Sequence, residues 1–175
     1  MTSVMQAMAI ESFVSGLMSL AGLLDKGAAH ARDNRIDLVN ARLAPDMYTL
    51  AQQVQQACNY AKDGTARLTG RNSARLEAVG KTFVELKADI AKTIEELSAV
   101  PAAAFEGAEA RDCSIELSGE GIMIAMDGPN FLRGWALPHF YFHLVTAYDI
   151  LRHNGVAIGK RDYASWVGDF VRPLH

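Results

Sequence analysis

Leu137-Pro138-His139-Phe140-Tyr141-Phe142-His143, continuing to Asp149-Ile150-Leu151-Arg152-His153-Asn154-Gly155, is the stretch on which the reading of this chain turns. Pro138 suits the first turn of a helix and Asn154-Gly155 is a C-terminal capping signature, so one helix is predicted between them. Its apolar residues go nearly all round: Phe140, Leu144, Ala147 and Leu151 on one side, Phe142 and Val145 elsewhere. A helix apolar on most faces is enclosed on most faces, at the centre of a bundle or against a partner chain. His139 and His143 stand four residues apart and share a helix face, which is the minimal geometry for two imidazoles to grip one metal ion.

Three more helices are predicted upstream. The first runs from about residue 4 to residue 31, with Ile10, Phe13, Val14, Leu17, Leu20, Ala21 and Leu24 at helical spacing. Gln6, Glu11 and Ser12 interrupt its apolar run, and no basic leader or cleavage pattern accompanies it, so it reads as a core helix of a cytoplasmic protein. The second is expected to open near Pro45, with Asp46 as an anion at its positive end. Its core stripe is Met47, Leu50, Val54, Ala57, Cys58, Ala61 and Leu68, and Gln52, Gln55, Gln56 and Asn59 are expected to turn away.

The third helix is expected to start at Thr82, where Thr82-Phe83-Val84-Glu85 reads as a capping box. Phe83, Leu86, Ile90, Ile94 and Leu97 form its stripe. This start leaves residues 69–81 as a connection long enough to cross the bundle, so the second and third helices could run parallel. A start at Ser73 would instead force a short antiparallel turn. Between Asp112 and Asp127 the period changes to alternation about Gly119-Glu120-Gly121, a β-hairpin signal. A lone hairpin is marginal, so it should lie against the bundle or a second subunit.

The chain has 175 residues, half of them hydrophobic, and a formal net charge of -3. That length suits a single domain over residues 1–175, and the charge balance argues against a nucleic-acid partner. Cys58 and Cys113 make no disulfide framework and read as reduced thiols. There is no nucleophile elbow or phosphate-cradling glycine loop, so no cofactor-binding motif is assigned. His30 and His153 are placed near helix C-termini, where a cation complements the dipole, and His175 is terminal. Arg152, Lys160, Arg161 and Asp162 read as a charge network fixing a tail that packs through Trp166, Val167 and Phe170.

Leu43-Ala44-Pro45-Asp46-Met47, Gln53-Val54-Gln55, and the run from Leu137 to Val156 with Gly159-Lys160-Arg161-Asp162-Tyr163 resemble the DUF1993 family of uncharacterised bacterial proteins over nearly the whole chain. That family is similar to the DinB/YfiT-like superfamily. The resemblance implies an all-α four-helix bundle in up-down-down-up order, often homodimeric, with the hairpin inserted before the last long helix. It further implies a divalent metal, often nickel or zinc, held by three histidines: one on the second helix and two in an H-x-x-x-H. Some members are thiol-dependent transferases or isomerases.

His139 and His143 match the H-x-x-x-H, but residues 45–68 contain no histidine. A third ligand would then have to be Cys58, within the apolar stripe, or Gln53 at its edge. Thiolate suits zinc and nickel better than an amide oxygen does. Two functions stay open. One is a dimeric small-molecule-binding or stress-associated protein with a degenerate metal site. The other is a metal-dependent enzyme, of thiol transferase or hydrolase type, using the histidine pair.

Overall fold

The computed structural model describes residues 4–77, 81–172 and 174. Four helices carry the fold: α1 (Val4–Asn34), α2 (Leu50–Leu68), α3 (Phe83–Ser98) and α4 (Leu137–His153). A two-stranded antiparallel hairpin, β1 (Ile115–Leu117) and β2 (Ile122–Ile124), precedes α4.

Side-chain pairings fix the helix directions. A Cβ on Gly16 would meet Phe140 and one on Gly27 would meet Leu151, so α1 and α4 run parallel. Lys87 pairs with Asp25, and Phe83 lies over Gly27, so α3 descends against α1. Thr93 bonds Cys58 and Glu96 pairs with Lys62, which sets α3 parallel to α2. Gln53 reaches His143 while Gly64 lies against Ala136, so α2 is antiparallel to α4. The order is therefore up-down-down-up, as the crossing connection implied.

Close approach explains Gly16. A Cβ there would stand 2.6 Å from the Phe140 ring, which is fully buried and packs edge-on to Phe13 at 5.1 Å. Any side chain at this position would displace the centre of the core. The apolar stripe of α1, from Phe13 through Leu17, Leu20 and Leu24, is fully buried against the other helices. Its length and composition would allow it to cross a membrane, but its apolar stripe is given to the core.

Caps decide where the helices begin. Thr82 Oγ1 accepts from Glu85 N–H and Glu85 accepts from Thr82 N–H at 2.7 Å, so the expected capping box forms. Those bonds hold the exposed Glu85 carboxyl below its ordinary range. The second helix departs from expectation. Thr49 caps it and forms an equivalent box with Gln52, so α2 starts at Leu50, and Pro45 and Asp46 lie in the preceding turn. Leu50 and Ala51 N–H donate to Ala41 and Val39 carbonyls, so the loop before α2 satisfies its first turn.

Pro138 does not open α4 either. Helical turns at Gly128–Phe131 and a π-turn at Leu132–Ala136 run straight into it. Proline lacks the N–H that the carbonyl four residues back would need. The wider turn, in which Leu137 N–H donates to Leu132 O, lets the helix pass through.

The hairpin docks on the end of α2, where Arg67 donates to Ser114 O at 3.1 Å and Ile115 enters the core. The tail is tied by Asp162, which accepts from Lys26 of α1 at 2.6 Å and from Gly159 N–H at 2.8 Å. Tyr163 and Trp166 pack edge to face, but Val167 and Phe170 are exposed, so only part of the expected tail packing is present. His175, and residues 78–80 of the crossing connection, lie outside the described residues.

Candidate functional site

The seam between α2 and α4 brings together His139, His143 and Gln53. His143 is 7% exposed, and its Nδ1 lies 2.7 Å from Gln53 Oε1. The amide is turned so that Gln53 Nε2 faces Tyr48 O, a long contact at 3.5 Å, with Oε1 towards the imidazole. Oε1 can only accept, so His143 carries its proton on Nδ1 and leaves Nε2 with a bare lone pair. His139 is fixed in the same sense: its Nδ1 lies 2.7 Å from Trp135 O, a carbonyl that must accept. Both imidazoles thus hold Nδ1–H down, with Nε2 as the available atom on each.

Five rings interleave along the seam. Trp135 lies tilted on His139 with centroids 4.3 Å apart, and His139 stacks with Tyr60 at 4.9 Å, Tyr60 with His143 at 5.4 Å, and His143 with Tyr48 at 6.2 Å. The planes of the last three pairs lie within 28° of parallel. The ladder ends at Tyr48, which is exposed. Desolvation by these neighbours, with the nearby His139 charge second, pushes the His143 pKa down to about 4. Near neutral pH it is a neutral hydrogen-bonding group.

Cys58 is elsewhere. It is fully buried on the α3 side of α2, where Thr93 bonds it, and burial pushes its thiol up to about 12. No three His, Cys, Asp or Glu side chains among the described residues gather into a set able to hold a metal ion. The donors at the seam are therefore two imidazole nitrogens, with Gln53 already committed to the His143 proton. That set does not fit a three-ligand centre.

Gln55 and Asn59, expected to face away, are buried. Asn59 accepts from Leu76 N–H at 2.7 Å and donates to Leu76 O at 3.1 Å, while Gln55 donates to Glu77 O. They clamp the connection that crosses from α2 to α3. His30 does bond a helix-end carbonyl, but that of Asn154 at the end of α4, at 3.0 Å. His153 stays exposed in the last turn of α4.

Sequence reasoning missed Tyr48, Tyr60 and Trp135 as members of the seam. Trp135, His139 and His143 recur at four-residue spacing, a legible signal. It was hidden because Pro138 marked a helix start, which placed Trp135 outside the helix.

This arrangement defines a class. A solved structure described as a DinB family member protein from Shewanella denitrificans is 34% identical to this chain, with a TM-score of 0.84. The alignment covers 97% of this chain and 94% of that one. The fold is that of a DinB-like helical bundle. Within that class the chain belongs to the family described as Domain of unknown function (DUF1993), whose profile matches residues 5–164. No curated protein matches it.

Proposed function

We propose that the chain is a small-molecule-binding member of the DinB-like bundles, acting as a cytoplasmic homodimer, in which the histidine pair is a degenerate metal site. One observation carries this reading. Gln53 Oε1 accepts a hydrogen bond from His143 Nδ1–H, so it meets the imidazole at the edge away from Nε2 and orients the ring instead of joining it as a third ligand. The five-ring ladder gives the pair a structural occupation, since stacked rings and a satisfied buried polar pair specify the α2–α4 register.

A second reading, a metal-dependent enzyme of thiol transferase or hydrolase type, is favoured by the shared tautomer. Each imidazole keeps an Nε2 lone pair of the kind a divalent nickel or zinc ion takes, but the Tyr60 ring stacks on both and would have to move before one ion could take the two. Thermal melts separate the two, because an ion that binds the folded state must stabilise it. Under the binding reading, added nickel or zinc leaves the melting temperature of wild type and of His143→Ala equally unmoved. A saturable rise in wild type, abolished in the variant, favours the enzyme.

The dimer is supported by the outer face of α4, where Phe142 is 58% and Val145 38% exposed. Large apolar side chains grouped on a helix face are typical of a covered surface. Sedimentation at micromolar concentration should give a dimer, and Phe142→Glu should give a monomer. A wild-type monomer would remove this part of the proposal.

A further inference from the structure

The parallel course of α2 and α3 has a result at the end of the bundle away from the hairpin. Both helices begin there, beside the end of α1, and the loop over residues 36–42 closes the space between them into a cleft of about 730 Å³. That volume is in the range of small-molecule sites. Its floor is apolar, with Ala31, Leu38 and Phe83. Among the described lining residues, Arg32, Arg42 and Lys81 stand against one carboxylate, Asp37, while Glu85, bonded to the lining residue Thr82, is a further carboxylate beside the cleft.

The partners of these charges decide what the cleft can take. Asp37 spends both oxygens on Asn40, at 3.2 Å to its N–H and 2.7 Å to its side-chain amide. Lys81 pairs with Asp89, which fixes the ammonium in place. Arg32 pairs with Asp33, but those side chains are 76% and 63% exposed, a pairing that water screens. Arg42 donates only to the Pro45 and Met47 carbonyls and has no carboxylate partner among the described residues. Those bonds are long, at 3.3 and 3.5 Å from one nitrogen, and Arg42 is exposed, so its guanidinium leans towards the loop with its other nitrogens free to meet a ligand. The α2 start adds no anion, because its capping box uses the neutral Gln52, which also lines the cleft.

We infer that this cleft is a binding site for an organic anion, an acid group on a small apolar body, with Arg42 taking the acid and Ala31, Leu38 and Phe83 taking the body. Guanidinium and carboxylate match as paired donors and acceptors, which is the strong form of this contact. The inference deepens the binding reading above and rests on it for there being a small-molecule ligand at all. The two are tested apart: metal melts probe the α2–α4 seam, and anion titration probes the cleft.

The test is titration of the full chain with benzoate, benzamide and inorganic phosphate at constant ionic strength, followed by amide and Arg side-chain NMR shifts. Benzoate should bind saturably and shift Arg42, Gln52 and Thr82, with benzamide and phosphate at least roughly ten-fold weaker. Arg42→Gln should weaken benzoate by roughly ten-fold or more. Because Arg42 also ties its loop, Ala31→Leu serves as a second variant that narrows the floor and leaves every charge in place. It should also lose benzoate while melting as wild type does. Absence of saturable benzoate binding, equal binding of benzamide, tighter binding of phosphate, or wild-type affinity in a folded Ala31→Leu would each overturn the inference.

Discussion

Helix α2 buries polar groups on two sides, and the two sides differ in what they leave available. Towards α4, Gln53 fixes His143 by one nitrogen, and the other nitrogen keeps its lone pair. Towards α3, Cys58 is sealed beside Thr93 with its thiol pushed up to about 12. As an isolated group, thiolate is the better ligand for a soft divalent ion. In the fold it is the less available one, because ionising it would leave a charge in the core. Residue type therefore predicts the chemistry of a position less well than its surroundings do: a hydrogen bond at His143, burial at Cys58.

The largest expected effect tests the sealed side. Raising a thiol from 9.0 to about 12 cuts its thiolate fraction by roughly a thousand-fold. Iodoacetamide at mildly alkaline pH should therefore label Cys58 in the folded protein at least that much more slowly than in the unfolded chain. Diethyl pyrocarbonate, which attacks neutral imidazole nitrogen, should modify His139 in the same folded sample. Comparable native labelling at Cys58 would erase the contrast between the two sides.

A smaller effect comes from protons. His143 has a folded pKa of about 4 against 6.5 for the free side chain. Between those values the unfolded chain binds the proton and the folded chain does not, so stability rises with pH across that window and falls as acid is added. The span from this group is at most about 3 kcal/mol, full above pH 6.5 and lost by pH 4. Urea unfolding at pH 4.5 and pH 7 measures it. In His143→Ala the part of the slope owed to this residue should vanish, and an unchanged slope would assign it to other groups.

Gln53→Ala gives the finest distinction. It removes the acceptor of a buried N–H and should cost about 1–3 kcal/mol. If Gln53 only packs, Gln53→Met should match wild type in urea unfolding. If it orients the imidazole, Gln53→Met should be as unstable as the alanine variant, and the His143 ring should change tautomer by nitrogen NMR.

Much of the fold was legible in local chemistry. The Thr82 to Glu85 capping box set a helix start, and that start left a connection long enough to cross the bundle and so allowed α2 and α3 to run parallel, as they do. The same logic applied to Thr49 and Gln52 would have placed α2 correctly, but Pro45 is an equally good local signal. Pro138 misled for a similar reason, since a π-turn accommodates it and no single-residue preference reveals one. Gln55 and Asn59 look solvent-facing on a helical wheel and are buried only because the connection returns over them. The histidine pair was visible in sequence. The rest of its ring ladder, and the choice of protonated nitrogen on His143, depend on Tyr48, Tyr60 and Gln53 meeting it from α2 and the turn before it, which spacing along one helix cannot supply.

We propose the His139/His143 pair as a hydrogen-bonded seam that holds no metal ion. Elemental analysis of the native chain, expressed without a polyhistidine tag and purified without chelator, tests it most directly. Nickel and zinc should stand far below one ion per chain, with no difference between wild type and His143→Ala. One ion per wild-type chain, missing from His143→Ala, would contradict it.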